Sequence, residues 1–264
     1  MNEATAPPEG ETRKRETWIR VGAAWVQAIE VAPMTPARAT VVLLPGLGLP
    51  RYTLPTVEVL ARRGLRCVVL DLLAWRRPRL RVPPLVEPMG EAAARWTREA
   101  DLAGPVVVVG HSTGAQVALG AALRLQHDRP DLSLVLAGLT FRPEHRSWPG
   151  LLRGAATAYR KDSPAELVVA ARDVARLRAD LVSVIGSGRR DRPEERVRDL
   201  EVPLVLTAGE ADSFAPQQWM ADVAAAAGSP SARVEVLPGS HNNLFTHPEE
   251  VADVVSAAAP ATAP

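Results

Sequence analysis

The sequence has 264 residues, 47% of them hydrophobic and 23% charged, enough for one α/β domain with an insertion or two small domains. A formal net charge of +1 leaves no global field for nucleic acid or an anionic membrane, and no apolar run approaches the roughly 18 residues of a membrane span. The single cysteine, Cys67, excludes an intrachain disulfide and fits a reducing compartment.

Residues 1–14 are polar, contain Pro7 and Pro8, and read as a disordered tail. They lack the apolar centre of a secretory signal, so the cytoplasm is the expected location. Thr17–Val21 and Ala24–Val31 read as two strands joined at Gly22. ATVVLLPG (39–46) is a buried strand, TLPTVEVLARRG (53–64) a helix ending at Gly64, and LRCVVLD (65–71) another strand. The basic run RRPRLR (76–81) reads as a solvated loop, or as a landing patch for an anionic substrate group or carrier protein. A helix is expected from Glu91 to about Ala103. Next come the strand PVVVVG (105–110) and the helix TGAQVALGAALRLQHD (113–128), stopped near Pro130. LSLVLAG (132–138), VPLVLTAG (202–209) and ARVEVLPG (232–239) are three further strands. PEEVADVVSAAA (248–259) is a closing helix, with proline and acids in its first turn. The tail 260–264 reads as loose.

Continuous apolar strands alternating with helices predict an α/β fold, with a mostly parallel eight-stranded sheet covered by helices on both faces. Residues 141–200 hold no convincing strand and are Arg-rich with repeated prolines, which predicts a helical insertion over one end of the sheet. The core is then 15–140 and 201–259.

Gly110-His111-Ser112-Thr113-Gly114 stands where a four-valine strand turns into a small-residue helix. A serine between glycines in that context is a sharp, strained turn that holds a hydroxyl clear of the backbone at a helix N-terminus. A hydroxyl is a poor nucleophile until a base takes its proton. Of the five histidines, His241 lies on the loop between the last strand and the last helix, at the same sheet edge as Ser112. It is the expected base. His111 is expected to be structural and to point away from Ser112. His127 ends a helix, His247 enters one, and His145 belongs to the insertion.

The base needs an orienting carboxylate. Asp212 follows a strand and is preferred. Glu210, two residues away, is its rival, and Asp71 precedes the serine in the chain. Oxyanion donors are expected from the backbone N–H of Thr113 and from Leu47 in the glycine-rich loop VVLLPGLGLP. Tyr52, Phe141, His145, Trp148 and Trp219 are candidates for a substrate pocket.

Four segments, LLPGLG, GHSTG, GEADSFAP and GSHNNLFTHPEEV, resemble the α/β-hydrolase superfamily over about residues 17–259. The resemblance implies a three-layer sandwich, with 141–200 as a cap that roofs the pocket and selects substrate. It also implies a Ser112–His241–Asp212 serine hydrolase acting on an ester or lactone of a small apolar molecule, with no metal or organic cofactor. Carbon–carbon bond hydrolysis, cofactor-free perhydrolysis, and a ligand receptor with slow turnover are the alternatives. Pro45-Gly46 stands where many members have His-Gly. Ser112 departs from the aspartate nucleophile of epoxide hydrolases and haloalkane dehalogenases. Asn242 stands where carbon–carbon hydrolases often carry tryptophan, and the N-terminal loop differs from that of carrier-protein thioesterases.

Overall fold

The structure is a computed structural model that describes residues 10–74, 80–102, 104–158 and 178–259. Four expected features lie wholly or partly outside these residues: the N-terminal tail up to residue 9, the basic run at 76–79, the middle of the insertion at 159–177, and the tail 260–264. In chain order the described strands are β1 (Thr12–Val21), β2 (Ala24–Pro33), β3 (Ala39–Leu44), β4 (Leu65–Asp71), β5 (Val106–His111), β6 (Leu132–Ala137), β7 (Leu204–Gly209) and β8 (Ala232–Leu237). The helices are α1 (Leu54–Arg62), α2 (Val86–Glu99), α3 (Thr113–Leu125), α4 (Trp148–Ala158), α5 (Arg178–Arg190), α6 (Pro193–Arg196), α7 (Gln217–Ala226), α8 (Asn243–Thr246) and α9 (Pro248–Ala258).

The eight strands form one sheet in the order β1-β2-β4-β3-β5-β6-β7-β8. β1 and β2 form an antiparallel hairpin, and β2 is antiparallel to β4; every other pairing is parallel. Because side chains alternate across a strand, the four valines of β5 divide between two cores. Val106 and Val108 pack on the face covered by α2, α3 and α7. Val107 and Val109 pack on the face covered by α1 and α9. Both faces of the central strands β3, β5, β6 and β7 are buried, so these strands read as nearly unbroken apolar runs rather than alternating ones.

β3 and β4 are laid down in one direction, and the chain then returns past β3 to place β5 on its other side. The carboxyl ends of β3 and β5 therefore diverge at a switch point, where open parallel sheets form crevices. The loops after β3, β5, β6, β7 and β8 all leave the same edge of the sheet.

Three expected boundaries are corrected. β1 begins at Thr12, inside the expected loose tail: Thr12, Arg13 and Lys14 pair with Pro33, Ala32 and Val31 while their side chains stay exposed. Backbone pairing at a sheet edge leaves no apolar signal in the sequence. α2 starts at Val86, five residues before the expected Glu91, because Pro88 in the first turn needs no N–H partner. It ends at Glu99, where Ala100 turns extended. Helix α7 was absent from the sequence reading; its Trp219, Met220 and Val223 are buried against the core. Between β6 and β7 the described residues form helices and no strand. Helix α5 docks there through Gln116, whose amide donates to the Gly188 carbonyl at 2.9 Å, and through the Ser187 hydroxyl, which accepts from the Val86 amide at 3.0 Å.

Candidate active site

Strand β5 ends at His111, and Ser112 turns the chain into α3 with φ 57° and ψ −125°. A non-glycine residue in that region is strained by about 1–3 kcal/mol. Its neighbours explain how the turn fits. A Cβ on Gly110 would lie 2.4 Å from the Gly114 carbonyl oxygen, and one on Gly114 would lie 2.1 Å from that of Leu44. Only glycine allows β5, α3 and the end of β3 to close on each other. The Ser112 amide donates to the Ala137 carbonyl at 2.9 Å, which fastens the elbow to the end of β6. Ser112 itself is half-buried.

The residue after Ala137 is Gly138, with φ 55°. A Cβ there would stand 3.1 Å from His241 Cε1 and 3.4 Å from Asp212 Oδ2. The elbow, the β6 end and the two polar residues thus meet at one rim of the sheet. His241 Nδ1–H donates to Asp212 Oδ2 at 2.9 Å. The other oxygen, Asp212 Oδ1, accepts from the Phe214 and Ala215 amides at 2.8 and 3.0 Å. His241 and Asp212 are 7% and 5% exposed, so the pair is shielded from solvent. Burial by itself would raise the Asp212 carboxyl. The His241 charge, the His241 hydrogen bond and the two amides outweigh that and hold it below its ordinary value. Glu210, the rival, has an exposed side chain, while its amide donates to the Leu237 carbonyl. Asp71 is buried and accepts from the Ala74 amide at 2.8 Å, closing its own turn.

His111 is more than filler. The Gly46 amide donates to the Tyr52 hydroxyl oxygen at 2.7 Å, and the Tyr52 hydroxyl donates to His111 Nδ1 at 2.6 Å. His111 Nε2–H then donates to the backbone carbonyl of His241 at 2.8 Å. A carbonyl only accepts, so the proton sits on Nε2 and the ring is neutral. Burial, and then the His241 charge, lower its pKa to about 3. One neutral ring therefore links the loop after β3, the elbow and the His241 loop. This link was missed from the sequence; the aromatic at 52 and the histidine at 111 carry no periodic or spacing signal that pairs them.

The loop after β3 forms a tight turn at Gly46–Gly48 in which Leu47 adopts φ 51° and ψ 17°. A Cβ on Gly46 would lie 2.9 Å from Ser112 Cβ, so this loop touches the elbow directly. The Leu47 amide donates to Thr113 Oγ1 at 2.7 Å.

The five residues expected to line a pocket separate into distinct roles. The His145 ring stands edge-on to Phe214 at 5.6 Å, and Phe214 lies 5.2 Å from the His241 ring, so His145 continues an aromatic file from the site. Burial, with Arg142 adding to it, lowers the His145 pKa. Tyr52 serves the hydrogen-bond link. Phe141 is buried with φ 62°, against Gly188 of α5, where an added Cβ would meet its ring at 2.6 Å. The two tryptophans sit elsewhere. Trp219 belongs to the core, with its indole N–H donating to the Leu139 carbonyl at 3.1 Å. Trp148 is 49% exposed and lies under the Arg189 guanidinium, 4.1 Å from its ring centre. Apolar bulk alone does not separate a pocket wall from packing. Of the other histidines, His127 is exposed near Glu201 and His247 bonds to the Thr246 hydroxyl.

No curated protein matches the sequence. Solved structures match the fold. Among them are proline iminopeptidase from Mycobacterium smegmatis, with 18% identity, TM-score 0.69, and 92% of this chain and 97% of that one covered. An esterase from Exiguobacterium antarcticum is 16% identical with TM-score 0.70, covering 92% and 98%. Naproxen esterase from Bacillus subtilis is 15% identical with TM-score 0.64, covering 93% and 91%. No helix among the described residues is long and apolar enough to cross a membrane. The family model described as the alpha/beta hydrolase family matches residues 41–254, most of the sequence, and the chain belongs to that family.

Proposed function

We propose that the protein is a serine-dependent hydrolase that cleaves an ester or lactone of a small, largely apolar substrate through an acyl-enzyme. One observation carries the reading. The strained Ser112 elbow and the buried, hydrogen-bonded His241–Asp212 pair arrive from separate loops at one sheet edge. With Asp212 ionised and Nδ1–H committed to it, the basic nitrogen of His241 is Nε2. Nε2 takes the Ser112 proton as Oγ forms a bond to the substrate carbonyl carbon. The proton then passes to the departing alcohol oxygen as that bond breaks. Water, deprotonated by the same nitrogen, releases the acid and restores the serine. Asp212 keeps the imidazole in one tautomer and stabilises its cation. The Leu47–Thr113 region, with the Thr113 amide at the helix N-terminus, faces the developing oxyanion.

In this reading residues 141–200 act as a cap and α5 is its anchored side. The buried Cys67, whose thiol pKa burial pushes up, is inert packing and fits a cytoplasmic protein. The test is covalent. A fluorophosphonate should add to Ser112, located by peptide mass, and Ser112→Ala should remove turnover of an activated ester while keeping the melting temperature. Turnover surviving in Ser112→Ala would reject the assignment.

A further inference from the structure

We infer that the Thr113 side-chain hydroxyl is itself an oxyanion donor, polarised from behind by the Leu47 amide. The inference rests on the serine-hydrolase reading and names a catalytic group within it. Its starting point is the 2.7 Å bond from Leu47 N–H to Thr113 Oγ1. An oxyanion donor must stand about 2.7–3.1 Å from the oxygen that it stabilises. Thr113 Oγ1 already occupies that distance from the Leu47 nitrogen. The amide is thus spent on a protein oxygen.

Two outcomes are open to a substrate oxygen that enters. It can displace Oγ1 from the Leu47 amide, which leaves a buried hydroxyl without its donor. Or it can accept the hydroxyl proton and keep the amide bond intact. The second arrangement satisfies more groups. Thr113 is 2% exposed, and among the described residues its hydroxyl proton has no acceptor. A buried donor without a partner costs on the order of 1–3 kcal/mol, so an anionic oxygen at the elbow is the acceptor this proton lacks. A hydrogen bond received at Oγ1 also strengthens the one donated from it.

The backbone is arranged to keep this contact. Leu47 holds a left-handed conformation, and the glycine on each side lets the turn close: a Cβ at Gly48 would lie 2.5 Å from the Leu73 side chain, and one at Gly46 would lie 2.9 Å from Ser112 Cβ. Thr113 is the first residue of α3, so its hydroxyl and its own amide sit together beside Ser112. The cradle then has a backbone donor and a side-chain donor from one residue, with Leu47 acting through the hydroxyl.

The experiment compares wild type with Thr113→Ser, Thr113→Val and Thr113→Ala on an activated p-nitrophenyl ester, after thermal melting has established which variants fold. Loss of one oxyanion donor is expected to lower kcat by about 100-fold in the valine and alanine variants. KM should stay within about threefold, because the bond strengthens only in the transition state. Thr113→Ser should recover most of the rate. The inference is overturned if a folded valine or alanine variant keeps its kcat or gains on wild type, since the hydroxyl would then be a plug that frees the Leu47 amide on leaving. It is equally overturned if Thr113→Ser is as slow as Thr113→Val, since the methyl would then matter. A wild-type protein that fails to label at Ser112 would instead remove the underlying serine-hydrolase reading.

Discussion

A tyrosine hydroxyl, a neutral imidazole and a carbonyl oxygen join loops separated by more than a hundred residues of chain, with His111 and His241 130 positions apart. The expectation that His111 is structural and turned away from Ser112 rested on the geometry of the elbow alone. Its partners could not be read, because Tyr52 and the His241 carbonyl reach it only after the sheet assembles. Removing one oxygen tests the link. In Tyr52→Phe the Gly46 amide loses its acceptor and His111 Nδ1 its donor. A net loss of about 1–3 kcal/mol in stability is expected. If the link also holds the oxyanion loop against the His241 loop, kcat should fall about tenfold with little change in KM. Stability loss with an unchanged kcat would confine the link to folding. The position of the loops that carry Ser112, Asp212 and His241 was legible for the opposite reason: each lies within four residues of the end of a strand, β5, β7 or β8, and parallel strands end on one edge. The roles of Trp148 and Trp219 were not legible, since an indole packs equally well in a core, in a pocket or under a surface guanidinium.

Helices α2 and α3 lie side by side on one face of the sheet, and glycines set how close they come. A Cβ on Gly90 of α2 would stand 3.2 Å from the Val117 carbonyl oxygen and 3.4 Å from the Gly120 backbone of α3. A bulky branched side chain there must push α3 away or distort α2. Gly90→Val is expected to cost about 1–3 kcal/mol, read as a lower midpoint in denaturant with an unchanged slope. Because α3 begins at the elbow, the same variant should slow phosphonate labelling of Ser112. Unchanged stability would show that the helices tolerate a wider spacing. The periodicity of α3 was plain in the sequence, and Gly110 and Gly114 announced its start. The start of α2 was hidden behind Pro83, Pro84 and Pro88, and α7 behind the polar QQ and a run of alanines, a composition that carries little amphipathic contrast.

The molecule as a whole buries ionisable groups that tie its stability to pH. His111 has a pKa of about 3 in the fold against an ordinary value of 6.5. Between those values the unfolded chain binds the proton and the folded one does not, so stability rises with pH across the window and is complete above about 6.5. It falls as the pH drops from there toward 3. Asp212, held below its ordinary value, acts in the same direction: its contribution is present above the unfolded carboxylate range and fades as pH falls through the folded value. The His111 contribution has a ceiling of about 5 kcal/mol. Melting temperatures measured from pH 7 to pH 4 should drop in wild type and drop less in His111→Gln. Equal slopes would place the acid sensitivity elsewhere.

Composition and hydrophobic patterning alone determined that this chain forms a mostly parallel sheet sandwiched by helices, because central strands buried on both faces must be apolar throughout and helices between them must repeat every three to four residues. Strand order of appearance also placed the serine, carboxylate and histidine loops at one edge, since parallel strands end on the same side. Only the tertiary structure decided which hydrogen bonds join those loops: the Tyr52–His111–His241 link, the Leu47–Thr113 contact and the close meeting of Gly110, Gly114 and Gly138 with their neighbours. Such contacts depend on distances of a few tenths of an ångström between segments remote in the chain, and no local pattern of residues encodes a distance of that kind.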